Sequence, residues 1–536
     1  MLTRGLTRRF SSNLVIKRNE NQAVELARYA KNFMEKGKPA HSVLERTKLF
    51  HTDSVICGIS ALALKTNAPM VLKNEALQYA KENTTLTSRE KGYARCFGSK
   101  VLTISEKAIC ANSAAVREWD SNGTVFGYRA ENAKHQAGEF GHNDFYPVAV
   151  AAAHENANIN GAQALKAMLL SDEIRGRLAE VFSLKSYKVD HVVHGAIASA
   201  ITYGTLMGAS IEQIESAVGM VVAHYIPFRA IRAGKQLSDS KGASAAISTE
   251  AAILSMKRSM LGFVGPKDIF RNPEAIFRLF EKTKGDSPFD LILGMEGEDF
   301  SVMGMHFKLG LYEHQSAGAI EGVLKLLYDN RFLQQGAGID QIDSIKIVAY
   351  EPAFGIIGDP AKKTPSTRQS ADHSMVYIIS TLLRKAIETP NLFDKVTHLN
   401  DIWKKLMLAP ADYGSEALNN PATRKLMEKI SFEHGGPEYD KNYPNGIPTS
   451  IVIKTKDGKT LDSRMQMFPS GHARNTSCDL KGILRHKFQL LGSLALEQAE
   501  LDKFLEKLNN LENLSNKELQ DLYFCNIKYA AKSIDL

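Results

Sequence analysis

Apolar residues recur every three or four positions through most of the first half of the chain, from Gln22 to Lys284. This is the period of an α-helix with one buried face, so the pattern predicts one helix after another with short turns between them. Alanine and glycine are frequent on the apolar faces, which allows close helix packing. The clearest predicted helices span 147–154, 161–182, 191–207, 211–223 and 242–259. In the second, Ser171-Asp172-Glu173 could cap a new helix and split the run in two.

After about Glu298 the pattern changes to a mixture of strands and helices. Residues 342–350 alternate between apolar and polar side chains, and 451–461 contains an Asp-Gly turn between two strand-like runs. These features predict a strand and a hairpin. Helices are predicted for 374–387 and 400–407, so this part of the chain is typical of an α+β module.

The C-terminal residues return to the helical pattern. Leucine and phenylalanine recur at helical spacing from Leu501 to Leu508, which favours packing against a core over binding to a partner. Ser515 and Glu518 are three residues apart and predict a capping box at the start of a final helix.

Length and composition indicate a globular protein of two or three domains. The chain has 536 residues, of which 44% are hydrophobic and 24% charged, and its mean hydropathy is −0.22. These values exclude a wholly disordered chain. No apolar run approaches the roughly 18 residues that a membrane span needs, so no transmembrane segment is predicted.

The cysteines and glycines exclude several classes of cofactor site. The five cysteines are widely scattered and include no C-x-x-C pair, so they predict neither disulfides nor a zinc or iron–sulfur site. There is no P-loop and no convincing G-x-G-x-x-G, so nucleotide cofactors have no support. We therefore expect no cofactor and no metal.

Much of the formal charge of +8 lies at the N-terminus. Five basic residues precede the first acidic one: Arg4, Arg8, Arg9, Lys17 and Arg18. Removing these five charges from +8 leaves +3, a nearly balanced body that does not indicate a nucleic-acid surface. Because the leader contains Arg, Ser and Thr but no acid and no apolar core, it predicts a mitochondrial presequence over 1–19, and hence location in the matrix. The alternative is a frayed polar tail.

The first candidate for chemistry is Asp120. An apolar helix face ends at Trp119, and Asn122-Gly123 should stop the helix, which places Asp120 and Thr124 around its C-terminal turn. A helix C-terminus carries partial negative charge and disfavours a carboxylate, so Asp120 needs a compensating partner or a function.

Histidines precede two of the predicted helices. His142 follows a glycine-containing loop and lies near the positive end of the helix that starts at Pro147, where an anion could bind; alternatively Asp144 only caps this helix. In the second case Asp190 is a candidate cap, and His191 and His194 share one helix face. Such a pair is usually structural, and no further metal ligands accompany it.

A cationic stretch follows. Residues 227–242 include Arg229, Lys235 and Lys241 and precede a helix of small residues. Alone this stretch would be a solvated loop, but together with the histidines it is a candidate receptor for several carboxylates.

Several short motifs occur in an order that resembles the MmgE/PrpD family, and the resemblance covers nearly the whole chain. The motifs are Arg117-Glu-Trp-Asp120, Glu139-Phe-Gly-His142, Asp190-His191-Val192, Ser240-Lys241, Glu313-His314-Gln-Ser316, Thr367-Arg-Gln-Ser-Ala-Asp-His-Ser374 and Pro469-Ser-Gly-His472. A series of motifs in one order is more specific than any one of them.

The resemblance implies a mainly α fold with a large all-helical domain plus a smaller α+β domain. The helical domain would comprise 20–300 and the C-terminal helices of 469–536, the α+β domain would comprise 301–468, and the active site would lie between them. It also implies a homodimer and a small tricarboxylate as substrate, with no nucleic acid and no membrane as partner.

The resemblance further implies dehydration of 2-methylcitrate to 2-methyl-cis-aconitate without a metal, in the methylcitrate route of propionate breakdown. The residues that match the family's active-site motifs are Asp120, Thr124, His142, His191, Lys241 and His314. Lys235 competes with Lys241 for the role of the lysine, Arg229 is a further substrate-binding candidate, and Tyr350 is the candidate for the family's tyrosine.

Elementary chemistry is consistent with this assignment. Elimination of water needs a base for a carbon-bound proton, an acid for the leaving hydroxyl, and cations that stabilise charge on the substrate carboxylate. A histidine or Asp120 would take the proton, and another histidine would donate to the leaving oxygen. His142 and His191 are the predicted acid–base residues, without an assignment of which does which, and Lys241 would stabilise the developing negative charge. Two alternatives stay open: a cis-aconitate decarboxylase-like lyase and a non-catalytic protein that binds polycarboxylates. Hydration of cis-aconitate in the same pocket would be a side activity.

Overall fold

The computed structural model describes residues 13–81, 92–124, 141–232, 236–333, 338–358 and 362–536. In these ranges the chain is mainly α-helical, which confirms the predicted fold class, and the strands form only small sheets. The helices of the first half are Gln22–Lys36 (α1), His41–Ala63 (α2), Asn67–Leu77 (α3), Ser105–Glu118 (α4), Pro147–Glu155 (α5), Gly161–Val181 (α6), Val192–Leu206 (α7), Ile211–His224 (α8), Asp239–Met260 (α9) and Ile276–Phe280 (α10).

The split predicted within α6 is wrong. This helix runs without interruption, because the acidic pair that could have capped a new start forms ion pairs instead. The Asp172 carboxylate lies 2.7 Å from the guanidinium of Arg175, and that of Glu173 lies 2.7 Å from the guanidinium of Arg177. With their carboxylates paired along the helix, these residues leave the backbone hydrogen bonds of α6 intact.

The core of the helical part is built around α9, which packs against α4, α7 and α8. Small residues permit the close approach. At Gly195 in α7, a Cβ atom would lie 1.9 Å from the ring of Phe145, so no larger residue fits there without moving the segment that precedes α5. This contact fixes the start of α7 against the start of α5, where His191 and His142 lie.

The described residues of the second half add ten α-helices and most of the strands. The helices are Ala317–Asn330 (α11), Arg368–Ala371 (α12), Met375–Glu388 (α13), Leu399–Leu406 (α14), Ser415–Leu418 (α15), Pro421–Glu428 (α16), Pro437–Asp440 (α17), Leu480–Ala495 (α18), Gln498–Asn509 (α19) and Asn516–Gln520 (α20). The strands of the described residues are Leu14–Ile16 (β1), Lys38–Pro39 (β2), Tyr93–Arg95 (β3), Leu102–Ile104 (β4), Leu291–Leu293 (β5), Glu296–Gly297 (β6), Ile342–Ala349 (β7), Ile430–His434 (β8), Thr449–Thr455 (β9) and Thr460–Asp462 (β10).

The four-stranded sheet has the order β10-β9-β7-β8. Strand β7 pairs in parallel with β8 and antiparallel with β9, and β9 and β10 form the predicted hairpin. Ile345 and Ile347, which share a face of β7, are fully buried. The predicted strand and hairpin are therefore confirmed.

The C-terminal helices return to the first half of the chain: α18 and α19 pack against α2, and α20 packs against α5. The predicted capping box is present, since Ser515 and Glu518 each accept from the other's backbone N–H. A fully buried ion pair joins α18 to α2, with Lys487 Nζ 2.6 Å from Asp53 Oδ1. The same ammonium donates to the carbonyls of Ser121 and Lys308.

The predicted presequence lies outside the described residues as far as position 12. The remainder, 13–19, belongs to the folded body, because β1 pairs antiparallel with β5 and Ile16 is buried. Removal of the whole of 1–19 would therefore take β1 away from β5, and the presequence itself stays a prediction.

Among the described residues no single helix is both long and apolar enough to cross a membrane. One pair, α2 with α3, meets the length and composition test together, but the two helices are bent by 89°.

Replacing Lys487 with Met should reduce the free energy of unfolding by about 3–5 kcal/mol, because the Asp53 carboxylate and two backbone carbonyls would be left buried without their partner. Equilibrium unfolding in urea measures this change. The matched control is Lys346→Met, which removes an exposed ion pair with Glu433 and should cost less than about 1 kcal/mol. Equal losses in the two variants would contradict the role of the buried pair.

Candidate active site

A cavity of about 130 Å³ is enclosed by residues from both halves of the chain. Its walls are formed by Arg117, Asp120, Thr124, His142, Lys185, His191, Arg229, Arg232, Leu237, Lys241, Lys308, Glu313, His314, Gln315, Ile357, Lys362 and His373. Seven of the nine residues predicted from the sequence are in this set. Of the other two, Lys235 lies outside the described residues, and Tyr350 does not line the cavity.

Asp120 is the buried anion of the cavity. It follows the end of α4, as predicted, and is only 1% exposed. Lys308 Nζ contacts Asp120 Oδ1 directly, His373 Nε2 lies 2.7 Å from Oδ2, and Lys241 and Arg117 lie within 3.7 Å. Burial raises the pKa of Asp120, but these positive charges outweigh burial and hold the pKa well below its usual range. These positive charges therefore compensate Asp120 for its unfavourable position at the C-terminal end of α4.

His373 joins Asp120 to Asp372. Its Nδ1 lies 2.5 Å from Asp372 Oδ1, while its Nε2 faces Asp120, so both ring nitrogens have a carboxylate acceptor. Lys241 Nζ lies 3.1 Å from the same Nδ1. Spacing within the sequence did not single out His373; only the motif of 367–374 contained it.

Lys308 is a site residue that sequence reasoning missed. It is 1% exposed, and burial lowers the pKa of its ammonium, opposed by the charge of Asp120. The sequence did contain a signal for it: Lys308 is the one lysine in the mostly apolar segment Met305–Leu311. A lysine in such a segment is expected to be buried, and a buried lysine needs an anionic partner.

Lys241 lies in the first turn of α9 and is also buried. Burial lowers the pKa of Lys241 to about 8, although the negative charges of Asp372 and Asp120 oppose that shift. The ammonium therefore changes charge within the range in which proteins are normally assayed.

His142 has a defined tautomer. Asn122 Nδ2 donates to the carbonyl of Val116, which turns the amide oxygen of Asn122 towards His142 Nδ1 at 2.7 Å. Because that oxygen can only accept, Nδ1 carries the hydrogen and Nε2 keeps a lone pair. Burial lowers the pKa of His142 well below its usual value, which favours the neutral ring.

His191 has an acidic neighbour. Its Nδ1 lies 3.5 Å from Asp190 Oδ1, and the ring centroids of His191 and His142 are 6.2 Å apart. Burial lowers the pKa of His191 well below its usual value, while the charge of Asp190 opposes the shift. Asp190 pairs mainly with Arg232 and makes only a long, 3.4 Å, contact with the first N–H of α7. The structure does not support the alternative role of Asp144 as a helix cap: Tyr146 occupies the N-cap position of α5, and its side chain makes no capping hydrogen bond among the described residues.

Opposite these histidines, His314 belongs to a column of three rings. The ring of His306 stacks on His314, with centroids 5.1 Å apart, and on His472, with centroids 3.9 Å apart. Burial lowers the pKa of all three, so stacked neutral rings support this wall. Thr124 pairs with the backbone of His306, and its Oγ1 has no hydrogen-bond partner among the described residues.

Tyr350 lies at the end of β7, and its ring stacks on Tyr443 at 4.5 Å. It is fully buried, and its hydroxyl has no hydrogen-bond partner within the part of the chain that the structure describes. Burial raises the pKa of Tyr350, and the charges of Tyr443 and of the wall residue Glu313 add to that rise, so Tyr350 lies behind the wall without lining the cavity.

The cavity has the charge of a receptor for polyanions. Seven lysine and arginine side chains line it, against the carboxylates of Asp120 and Glu313. Burial also raises the pKa of Glu313, which reduces its negative charge.

One group of side chains in the cavity has the spacing of a metal site: donor atoms of Asp120, Asp372 and His373 lie within 4.8 Å of one another. Since Lys308 and Lys241 already contact these carboxylates, a divalent cation would have to displace them.

Comparisons with known proteins agree with this picture. The family models of the MmgE/PrpD N-terminal and C-terminal domains match residues 24–288 and 312–513. The chain is 24% identical to an alkylcitrate dehydratase of a fungal species, over 67% of this chain and 66% of the relative. It is 26% identical to the mitochondrial 2-methylcitrate dehydratase of Yarrowia lipolytica, over 67% and 64%. It is 25% identical to the cis-aconitate decarboxylase of Mus musculus, over 66% and 67%. The match thus spans slightly less than two thirds of the length of the two fungal relatives.

Raising the pH above about 8 should weaken binding of an unreactive tricarboxylate such as tricarballylate, because Lys241 loses its charge there. With one proton linked to binding, the affinity should fall by up to about tenfold per pH unit. Calorimetric titrations between pH 7 and 9.5 measure this effect. In Lys241→Arg the cation persists, so the decline should be shallower; an equally steep decline would exclude Lys241 as its source.

Proposed function

Because the chain belongs to the MmgE/PrpD family, we propose that it is a hydro-lyase that removes water from 2-methylcitrate to give 2-methyl-cis-aconitate. The observation that carries this proposal is a cavity in which His142 and His191, with ring centroids 6.2 Å apart, lie among seven lysine and arginine side chains of the described residues. The named relatives are dehydratases and a decarboxylase, and thus support a lyase at the level of the family. The reaction would serve propionate breakdown through the methylcitrate cycle.

The cations are proposed to bind the three carboxylates of the substrate. Arg229 and Arg232 lie on one short 3-10 helix beside His191, whereas Lys241 and Lys308 lie around Asp120. Cations on two sides can hold the carboxylates that flank the reacting carbons. When the substrate loses its carbon-bound proton, negative charge develops on the carboxylate next to that carbon. The cations nearest that carboxylate would also stabilise this charge.

His142 is proposed as the base. Its Nδ1–H is engaged by Asn122, so the lone pair on Nε2 is the one available to take the proton from the methyl-bearing carbon. The electron pair of that C–H bond forms the new double bond, and the C–O electron pair leaves with the hydroxyl oxygen. A base must begin unprotonated, and the burial that lowers the pKa of His142 favours that state.

His191 is proposed as the acid that protonates the leaving hydroxyl to give water. The acid must begin protonated, and Asp190 is a carboxylate that favours the charged form of His191, whereas His142 has only a neutral amide. The charge of a bound tricarboxylate would raise the pKa of both rings. Asp120 is proposed to keep Lys308, Lys241 and His373 in position, and the free hydroxyl of Thr124 to bind substrate.

The second candidate is decarboxylation of cis-aconitate, which the murine relative favours. That reaction also begins with a polycarboxylate and ends with protonation of a carbanion, so the same cavity suits it. Hydration of cis-aconitate is proposed as a side activity. A non-catalytic protein that binds polycarboxylates is the remaining alternative; it would bind the same molecules without turning them over.

Assembly and location are proposed from the same sources. The resemblance indicates a homodimer, and an exposed apolar segment after α9 supplies a surface for one: Leu261 is 90% exposed and Val264 is 72% exposed. The mitochondrial relative of Yarrowia lipolytica and the acid-free leader both support the mitochondrial matrix.

The direct test is incubation of the purified protein with 2-methylcitrate in the presence of a chelator. Ultraviolet absorbance reports the conjugated product, and release of carbon dioxide is followed in parallel. We expect a gain in absorbance without gas and without sensitivity to the chelator. Gas from cis-aconitate with no reaction of 2-methylcitrate would instead establish the decarboxylase, and binding without turnover would establish the non-catalytic alternative.

The assignment of base and acid is tested with a substrate analogue that carries fluoride in place of the hydroxyl, because fluoride leaves with less help from an acid. Replacing either His142 or His191 with Ala should lower kcat on 2-methylcitrate by roughly 10²- to 10⁴-fold. On the fluoro analogue His191→Ala should regain most of its rate, and His142→Ala should not. The reverse pattern would exchange the two roles.

A further inference from the structure

The apolar part of the cavity wall is small and local. Of the described residues that line the cavity, only Leu237 and Ile357 have aliphatic side chains; all the others are polar or charged. An alkyl substituent on a tricarboxylate gains contact energy only against apolar surface. Since the charged walls hold the carboxylates, the substituent is directed towards these two residues.

Leu237 also borders a second, larger cavity. That cavity has a volume of about 710 Å³, and Leu237 is the one described residue that lines both. The backbone N–H of Leu237 donates to Ser370 Oγ at 3.0 Å, which ties it to the segment that carries His373. A leucine side chain anchored in this way separates the two spaces.

The second cavity suits hydrocarbon better than an anion. Its charged lining groups are already paired: Arg368 with Glu118 and Asp535, and Asp239 with Asn67 and Gln369. The ammonium of Lys65 contacts the carbonyl of Ala531.

Apolar side chains from separate segments contribute to the wall of the second cavity: Met70, Leu418 and Ile534, together with the ring of Tyr413. Leu536, which also borders it, is 91% exposed and forms part of its open side. A flexible chain of several methylenes could lie among them without displacing an ion pair.

We propose that Leu237 sets the size of the alkyl substituent that the enzyme accepts, because its side chain closes the substrate cavity off from the second cavity. The native enzyme then favours 2-alkylcitrates with short substituents, whose alkyl group ends at Leu237 and Ile357. Shortening Leu237 joins the two spaces and admits a longer chain. This inference rests on the proposed function for the identity of the charged end of the substrate.

The test compares kcat/KM for 2-methyl-, 2-butyl- and 2-hexylcitrate in the native enzyme and in Leu237→Ala. In the native enzyme kcat/KM should fall as the alkyl chain lengthens. The Leu237→Ala variant should have a lower kcat/KM for 2-methylcitrate than the native enzyme. Within this variant kcat/KM should rise with chain length, by up to about fourfold for each methylene that is buried. Kinetics that rank the three substrates identically in both proteins would overturn the proposal.

A double variant separates the second cavity from a general loosening of the site. Leu237→Ala combined with Leu418→Trp narrows the far space, and the preference for 2-hexylcitrate should be reduced. An undiminished preference in the double variant would show that the chain lies elsewhere and would overturn the proposal. Leu237→Phe is the opposite control and should sharpen the preference for the shortest substituent.

Failure of the proposed function is distinguishable from failure of this inference. If the native enzyme does not turn over 2-methylcitrate, calorimetry with tricarballylate and its 2-hexyl derivative tests the role of Leu237 without chemistry. A gain in affinity from the hexyl group that is at least tenfold larger in Leu237→Ala than in the native protein supports that role. Equal gains in both proteins would reject it.

Discussion

The buried carboxylate of Asp120 is the constraint on which the rest of the site depends. An ionised carboxylate removed from water is strongly destabilised unless cations compensate it. Here the compensating groups come from four places in the chain: the last turn of α4, the first turn of α9, the segment before residue 314 and the turn after α12. Arg117, Lys241 and Lys308 are themselves buried, so the carboxylate stabilises each of these cations in its place. One ionic cluster thus holds both halves of the molecule together at the cavity.

The surrounding fold is arranged to keep that cluster rigid. Lys487 of α18 pairs with Asp53 of α2 and donates to the carbonyls of Ser121 and Lys308, which lie directly behind the cluster. The C-terminal helices therefore support the cavity without lining it. Another wall of the cavity is supported by ring stacking and backbone hydrogen bonds. His306 stacks on His314 and His472, and its backbone pairs with that of Thr124.

Burial has opposite consequences for different groups in one cavity. It keeps His142 neutral, and it brings the pKa of Lys241 to about 8 while leaving an ammonium at neutral pH. A cavity that combines the unprotonated imidazole of His142 with many cations can take a proton from a polyanion and stabilise the charge left behind. These are the two requirements of elimination next to a carboxylate. The two aliphatic side chains of the wall then decide which substituent fits beside the charged groups.

Helical periodicity, turn chemistry and short motifs are local properties of the chain, and they were enough to predict the mainly α fold, the hairpin, the capping box and seven residues of the cavity. The continuity of α6, the position of Tyr350 behind the cavity wall and the direct contact of Lys308 with Asp120, 188 residues away, depend instead on tertiary contacts. These outcomes depend on which charges meet and how far each is removed from water, and neither follows from the spacing of residues along a chain.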